Sequence, residues 1–187
     1  MKQAFDLERV ESLTKLVLEG GEPLHALQEL ELQNGLLKQQ FESEPQSGPA
    51  SGLMEVAFRL TKFARQIALE LGRRGEVRFE EMAWALRCKP VLATLSHRHD
   101  LVGPAMLDWA DCNRRLGNLE KADFLYEAVI KDFLEVLEWP PELGRRRDSA
   151  LDSLLHALNH SRRDYGQLLD KAEKARGRGS SSLEPGR

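Results

Sequence analysis

Aromatic and β-branched residues are scarce in this chain of 187 residues. Phe, Trp and Tyr together make up 6% of it, and Val, Ile and Thr are also few, whereas residues that favour helices, such as Leu, Ala, Glu and Arg, dominate. No segment shows the sustained alternation of apolar and polar residues that a half-buried strand requires. The sequence therefore predicts an all-α protein made of antiparallel helical hairpins, arranged as an α-solenoid or as an irregular helical bundle.

Cysteine is nearly absent, and long apolar runs are missing. The two cysteines, Cys88 and Cys112, lie among apolar residues at helical spacing, so we expect small buried thiols rather than a disulfide framework. No run approaches the roughly 18 apolar residues of a membrane-spanning helix. The first residues, MKQAFDLERVE, hold no apolar stretch typical of a signal peptide. We therefore expect no membrane partner and a cytoplasmic location.

Neither sign of charge is in large excess. The 27 basic and 30 acidic side chains give a formal net charge of -3, so a nucleic-acid partner is not expected. The sequence has no Gly-x-Ser-x-Gly elbow, no phosphate-binding loop and no Cys-x-x-Cys pair. It therefore points away from an enzyme without excluding one, and we expect no cofactor.

Segments rich in Ser, Pro and Gly divide the chain into four parts. The stretch SEPQSGPASG, residues 43–52, has no apolar anchor, so we expect a flexible linker there. This linker separates an N-terminal helix pair at 1–42 from a helical-repeat-like domain at 53–175. The polar segment 176–187 is expected to form a disordered tail.

Glycine and proline also mark the expected ends of individual helices. Three turns are expected at glycines: at Gly20-Gly21, between Gly72 and Gly75, and at Gly117-Asn118. Pro90 is expected to divide residues 79–98 into two helices, because proline inside a helix removes a hydrogen bond. Gly103-Pro104 is expected to open the next helix, and the last long helix to run without a break over 147–174.

One helical hairpin is predicted in more detail, over residues 105–133. Four residues fit such a hairpin by being small, turn-forming or aromatic where two helices would cross: Ala110, Gly117, Ala122 and Tyr126. This pattern resembles the tetratricopeptide repeat, a helix–turn–helix unit of 34 residues. In this resemblance Trp109 falls at a large apolar position of the first helix. Val129 and Leu134 depart from the alanine and proline that are usual in that repeat. An ordinary antiparallel helix pair is the alternative interpretation.

The resemblance implies a docking surface for another protein or peptide. We accordingly expect a non-enzymatic interaction module that binds a partner peptide or helix in a helical groove. The residues expected to contact the partner are aromatic or polar: Trp84, Trp109, Asn113, Arg114, Arg115 and Tyr126. Of these, Arg114 and Arg115 would contact an acidic ligand. Self-association into a homo-oligomer is left open.

The last predicted helix carries a second candidate site. Four polar residues follow one another at intervals of four, which places them on one helix face: Asp152, His156, His160 and Asp164. Two histidines one turn apart can bind one divalent ion, and flanking carboxylates can complete the site. The alternative interpretation is a solvated helix face whose histidines pair with neighbouring acids.

The segment LLHALNHSRRDYGQLL also resembles the C-terminal motif of the DinB-like metal-binding four-helix bundles. In that motif a histidine is followed four residues later by a second histidine and then by a Gly-Gln pair. His160 and Gly166-Gln167 match, and Asp164 stands in the second histidine position. The resemblance implies, as an alternative function, a metal-binding helical bundle that uses His156 and His160.

Overall fold

The computed structural model describes residues 5–43, 51–94 and 98–180, and nearly all of them are helical. Within these ranges the helices are α1 Leu7–Leu18, α2 Leu24–Ser43, α3 Ser51–Arg74, α4 Val77–Thr94, α5 His99–Arg115, α6 Leu119–Phe133, α7 Arg145–His160 and α8 Gly166–Ser180. Two short 3₁₀ turns, Leu134–Glu138 and Pro141–Leu143, connect α6 to α7. The described residues contain no strand, which confirms the all-α prediction.

Contacts divide the chain into two compact units, Met1–His97 and Arg98–Arg187. The described residues of each unit form two helical hairpins, α1–α2 with α3–α4 in the N-terminal unit and α5–α6 with α7–α8 in the C-terminal unit. In the N-terminal unit α1 packs on α3, and α2 packs on both α3 and α4. The helix pair expected at 1–42 therefore shares a unit with α3 and α4.

The predicted linker and tail are described only at their edges. Ser43 ends α2, Ser51 and Gly52 begin α3, and residues 44–50 lie outside the described residues. Residues 176–180 belong to α8, so this part of the predicted tail is helical. Residues 181–187 also lie outside the described part of the chain.

Pro90 does not divide its helix, contrary to the prediction. It lies inside α4, which runs unbroken from Val77 to Thr94. Proline leaves the carbonyl four residues earlier without its helical hydrogen bond. That carbonyl belongs to Leu86, and it accepts a hydrogen bond from the side-chain amide of Asn34 on α2 at 3.1 Å. A partner 52 positions away thus replaces the lost bond.

The predicted start of the next helix at Gly103-Pro104 is also wrong, because α5 already begins at His99. Gly103 instead lies inside α5, where a Cβ atom would come within 2.6 Å of Cε2 of Phe133 and of Oγ of Ser153. Glycine therefore allows α5 to approach α6 and α7 closely.

The last predicted helix is interrupted. α7 ends at His160, α8 begins at Gly166, and the residues between them form a turn. Two side chains of this turn bind nearby backbone N–H groups: Oγ of Ser161 accepts from Arg163 at 3.3 Å, and Oδ1 of Asp164 accepts from Gly166 at 2.9 Å. Such local bonds compete with helical hydrogen bonds. Asp164 therefore does not continue the helix face that carries His156 and His160.

Glycine turns are confirmed at Gly20, Gly75 and Gly117, and they share one geometry, whereas Gly72 lies inside α3 and does not bracket its turn. Gly20, Gly75 and Gly117 all have positive φ, at 98°, 74° and 78°. At each turn the N–H after the glycine bonds to the carbonyl five residues earlier, at 2.8 to 2.9 Å. This pattern is the Schellman motif, in which glycine adopts the left-handed conformation without steric cost.

The two cysteines are buried free thiols, as expected. Cys88 is 1% exposed and Cys112 is fully buried. Burial raises the pKa of the Cys88 thiol to about 12, which keeps it protonated at neutral pH. None of the described helices combines the length and the apolar character needed to cross a membrane.

Candidate docking site

The described residues form two hairpins in each unit, and the two units differ in whether the second helices of those hairpins pack on each other. In the N-terminal unit α2 and α4 pack on each other. In the C-terminal unit α7 packs against α5, α6 and α8, but the described residues show no packing of similar extent between α6 and α8. The space between α6 and the start of α8 is a groove of about 610 Å³.

Apolar side chains line most of this groove, which we call the α6–α8 groove. Its lining residues come from α6, the first 3₁₀ turn, the α7–α8 turn and α8: Phe124, Glu127, Ala128, Ile130, Lys131, Asp132, Leu134, Arg163, Tyr165 and Leu168. Phe124 is 71% exposed and Leu134 is 40% exposed, whereas Ile130 is only 4% exposed. Phe124 and Leu134 are ten positions apart, so they lie about 15 Å apart along the helix direction.

Ion pairs attach the α7–α8 turn to α6 beside the groove. Arg163 contacts Glu127 at 2.7 Å, and Arg162 contacts Asp123 at 3.3 Å. Lys131 lies in the groove lining as well. These pairs lie between the turn that carries Tyr165, which forms one wall of the groove, and α6, which forms the other wall.

A polar cluster lies where α5, α6 and α7 meet. The hydroxyl of Tyr126 donates to Oδ1 of Asp111 at 2.5 Å, and Nε2 of His156 lies 3.1 Å from the same oxygen. The rings of His156 and His160 stack with centroids 4.2 Å apart, and Nδ1 of His160 is 2.8 Å from the backbone carbonyl of His156. The carboxylate of Asp111 on α5 therefore contacts both Tyr126 on α6 and His156 on α7.

The acid–base properties of this cluster follow from burial and from these contacts. Partial burial would raise the pKa of Asp111, but hydrogen bonds from His156 and Tyr126 outweigh that effect and lower it. Burial and the Asp111 carboxylate raise the pKa of the Tyr126 hydroxyl well above its usual value, although Arg114 opposes this shift. Asp111 is therefore a stable anion and Tyr126 a stable donor at neutral pH.

The four predicted metal ligands do not come together. Asp152 pairs with Arg176 of α8 at 2.7 Å, and Asp164 caps the start of α8. Only His156 and His160 remain adjacent, and their near carboxylate is Asp111 rather than either predicted acid. Among the described residues, no group of three or more His, Cys, Asp or Glu side chains could hold a metal ion.

The predicted partner-binding residues have several different roles. Trp84 belongs to the N-terminal unit, is 5% exposed, and donates through Nε1 to Oε1 of Glu80 at 3.1 Å. Nζ of Lys121 lies 4.8 Å from the ring centroid of Trp109. None of the six predicted residues lines the α6–α8 groove.

The polar members of the predicted set are divided between the core and the surface. Asn113 is fully buried, where its side-chain amide donates to the backbone carbonyl of Trp109 at 2.9 Å. Tyr126 is likewise fully buried within the polar cluster, whereas Arg114 and Arg115 are exposed. Asn113 and Tyr126 therefore stabilise the hairpin, and of the polar residues only the two arginines lie at the surface.

Sequence reasoning missed Phe124, Leu134 and Asp111. The sequence holds a signal for Phe124, because this residue does not share the helix face of the buried positions of α6. Those positions are Ala122, Leu125, Tyr126, Val129, Ile130 and Phe133. A large aromatic residue on the polar side of an amphipathic helix indicates a contact surface. Asp111 had no comparable signal, because it meets His156 across 45 positions of the chain.

Comparison with protein-family models, with curated proteins and with solved structures gives no match to this chain.

Proposed function

We propose that the C-terminal unit is a non-enzymatic docking module that binds a partner peptide or helix in the α6–α8 groove. The observation that carries this proposal is the open groove itself, with Phe124 71% exposed at one end and Leu134 40% exposed at the other. A mainly apolar groove with charged side chains in its lining is typical of interaction sites.

The dimensions of the groove favour a short helical or extended segment. A length of about 15 Å corresponds to roughly three helical turns. A partner helix would present apolar side chains at positions such as i, i+4 and i+7 to this surface. The resemblance of residues 105–133 to a tetratricopeptide repeat supports the same class of function, namely recognition of another polypeptide.

We assign the polar cluster a supporting role in this module. Asp111, Tyr126 and His156 bind one another across three helices. Mutually satisfied hydrogen bonds of this kind hold elements in one arrangement. They fix α7 relative to α6, and α7 leads directly into the turn that carries Arg163 and Tyr165. The cluster therefore stabilises the walls of the groove.

The proposal can be tested by selecting peptides that bind the full chain from a displayed random library. The variant Phe124→Asp should weaken binding of the selected peptides about tenfold or more, because it places a charge at an apolar anchor. The matched control is Leu119→Asp on the same helix, which changes a side chain that is 47% exposed and does not line the groove. Equal affinity of the two variants would contradict the assignment of the groove.

A further inference from the structure

The α6–α8 groove has an internal symmetry in the order of its residues. Its exposed apolar residues, Phe124 and Leu134, lie five positions before and five positions after Val129. Its acidic Glu127 and basic Lys131 lie two positions before and two positions after the same residue. A second α6 placed antiparallel, with its own position 129 at the same level, would therefore set Phe124 of one copy opposite Leu134 of the other. It would likewise set Glu127 opposite Lys131.

The charges of the groove also suit such a partner. The lining holds two acidic side chains, Glu127 and Asp132, and two basic ones, Lys131 and Arg163. A groove with a large charge of one sign would repel a copy of itself, whereas this balanced set does not. Glu127 of one copy would meet Lys131 of the other twice, because the pairing repeats across a two-fold axis.

We propose that the occupant of the α6–α8 groove is a second copy of this chain, joined by a two-fold axis at the level of Val129 but on the opposite, exposed side of α6. Phe124 of each copy covers Leu134 of the other, and Lys131 of each copy pairs with Glu127 of the other. Ala128, a small half-buried residue beside the axis, lets the two helices approach. This inference rests on the proposed function, because it names the partner of the same groove.

The experiment measures the mass of the full chain in solution by sedimentation equilibrium. The unaltered chain is expected to dimerise, and Phe124→Asp is expected to raise the dimer dissociation constant at least about tenfold. Leu119→Asp, on the same helix and outside the groove, is expected to leave the constant within about twofold. Circular dichroism melts of every variant check that the helices remain folded.

Charge reversal gives a sharper test of the symmetry. Lys131→Glu and Glu127→Lys should each weaken self-association, because each variant places two like-charged pairs across the axis. A mixture of these two variants should restore dimers, and they should contain one copy of each. The internal contact between Glu127 and Arg163 is lost in Glu127→Lys, but surface ion pairs contribute little to stability, so this variant should still fold.

A chain that stays monomeric at its highest attainable concentration would overturn the inference. So would a dimer that is insensitive to Phe124→Asp, or charge variants whose mixture forms no mixed dimer. The proposed docking function is tested by a different result. If the monomeric chain binds selected peptides in a way that depends on Phe124, the proposed function stands and only the second copy is excluded. If Phe124→Asp affects neither measurement, both proposals fall.

Discussion

In both the N-terminal and the C-terminal unit the described residues form two helical hairpins. The two units differ in which helix faces are buried between those hairpins. In the N-terminal unit, α4 packs on α2 as well as on its hairpin partner α3, and Asn34 of α2 bonds to the carbonyl that Pro90 leaves unpaired in α4. In the C-terminal unit, α8 packs on α7 and on the first 3₁₀ turn, and the described residues leave the groove beside α6 open. The order of helices is therefore the same in both units. They differ in the connection that follows the second helix, and in the C-terminal unit the surface of α6 beside the groove is available to a partner.

The largest expected effect tests the close helix crossing of the C-terminal unit. Gly103→Ala would place a Cβ atom 2.6 Å from both Phe133 and Ser153, so α5 would have to move away from its neighbours. Overpacking of this kind costs about 1–3 kcal/mol, and this site should lie at the upper end. The free energy of unfolding from denaturant melts measures the loss.

The matched control lies in the N-terminal unit. Gly35 is inside α2, and a Cβ atom there would meet nothing within 4 Å. Gly35→Ala should therefore stabilise the protein by about 0.5–1 kcal/mol, because alanine is the better helix former. Equal effects of the two substitutions would mean that α5 does not cross its neighbours at Gly103.

The second expected effect concerns the α5–α6 hairpin. Ala122 is 2% exposed and Ala110 is fully buried, so Ala122→Leu should force the two helices apart and cost about 1–3 kcal/mol. Lys171→Leu, at an exposed position of α8, should change the free energy of unfolding by less than about 0.5 kcal/mol. A neutral Ala122→Leu would contradict the close packing of this hairpin.

A third prediction compares two arginines that bind backbone carbonyls. Arg147 is 4% exposed and donates to the carbonyls of Trp139 at 2.8 Å and Ala175 at 3.0 Å. Arg74 binds the carbonyls of Val17 and Gly21 near the end of α1. Arg147→Met should cost about 1–2 kcal/mol, because two carbonyl acceptors lose their donor.

Hydrogen exchange shows where each arginine acts. Arg147→Met should accelerate amide exchange in α8, and Arg74→Met should do so at the end of α1. The acceleration should remain within the unit that carries the substitution. If Arg147→Met loosened α1 and left α8 protected, the role assigned to Arg147 would be wrong.

The smallest expected effect depends on pH and concerns Asp111. Because its pKa is lowered in the folded state, the ionised carboxylate contributes stability above its unfolded pKa of about 3.9, and that contribution is lost as pH falls through the folded pKa. The Asp111 side chain is 40% exposed, so solvent screening keeps the contribution near about 0.5–1 kcal/mol at pH 7.

The variant Asp111→Asn isolates this contribution. It should be less stable than the unaltered chain at pH 7, and the difference should shrink as the pH falls below about 4. Asp170→Asn, at an exposed position of α8, serves as the control and should show no such convergence. A difference that stays constant down to about pH 2 would show that the charge of Asp111 is not involved.

The sequence predicted local features of this fold better than long-range ones. Gly117 was placed in a turn from its neighbours alone, and the turn is confirmed with φ of 78°. Pro90 was misjudged, because the donor that replaces its missing hydrogen bond lies on another helix, at Asn34. The candidate site shows the same limit. Tyr126 and His156 belong to two separate hypotheses of the sequence analysis, and Asp111, which joins these two residues, belongs to neither.

By itself the sequence determined the helical class, the glycine turns and the burial of Cys88 and Cys112. These features depend on helix propensity, on the positive φ that glycine allows and on the periodic spacing of apolar residues, all of which act between near neighbours. Only the tertiary structure decided that α4 continues through Pro90, that Asp111 meets His156, and that no described residue covers the face between Phe124 and Leu134. Each of these depends on which helices lie side by side, and packing between distant segments is not encoded in any local pattern.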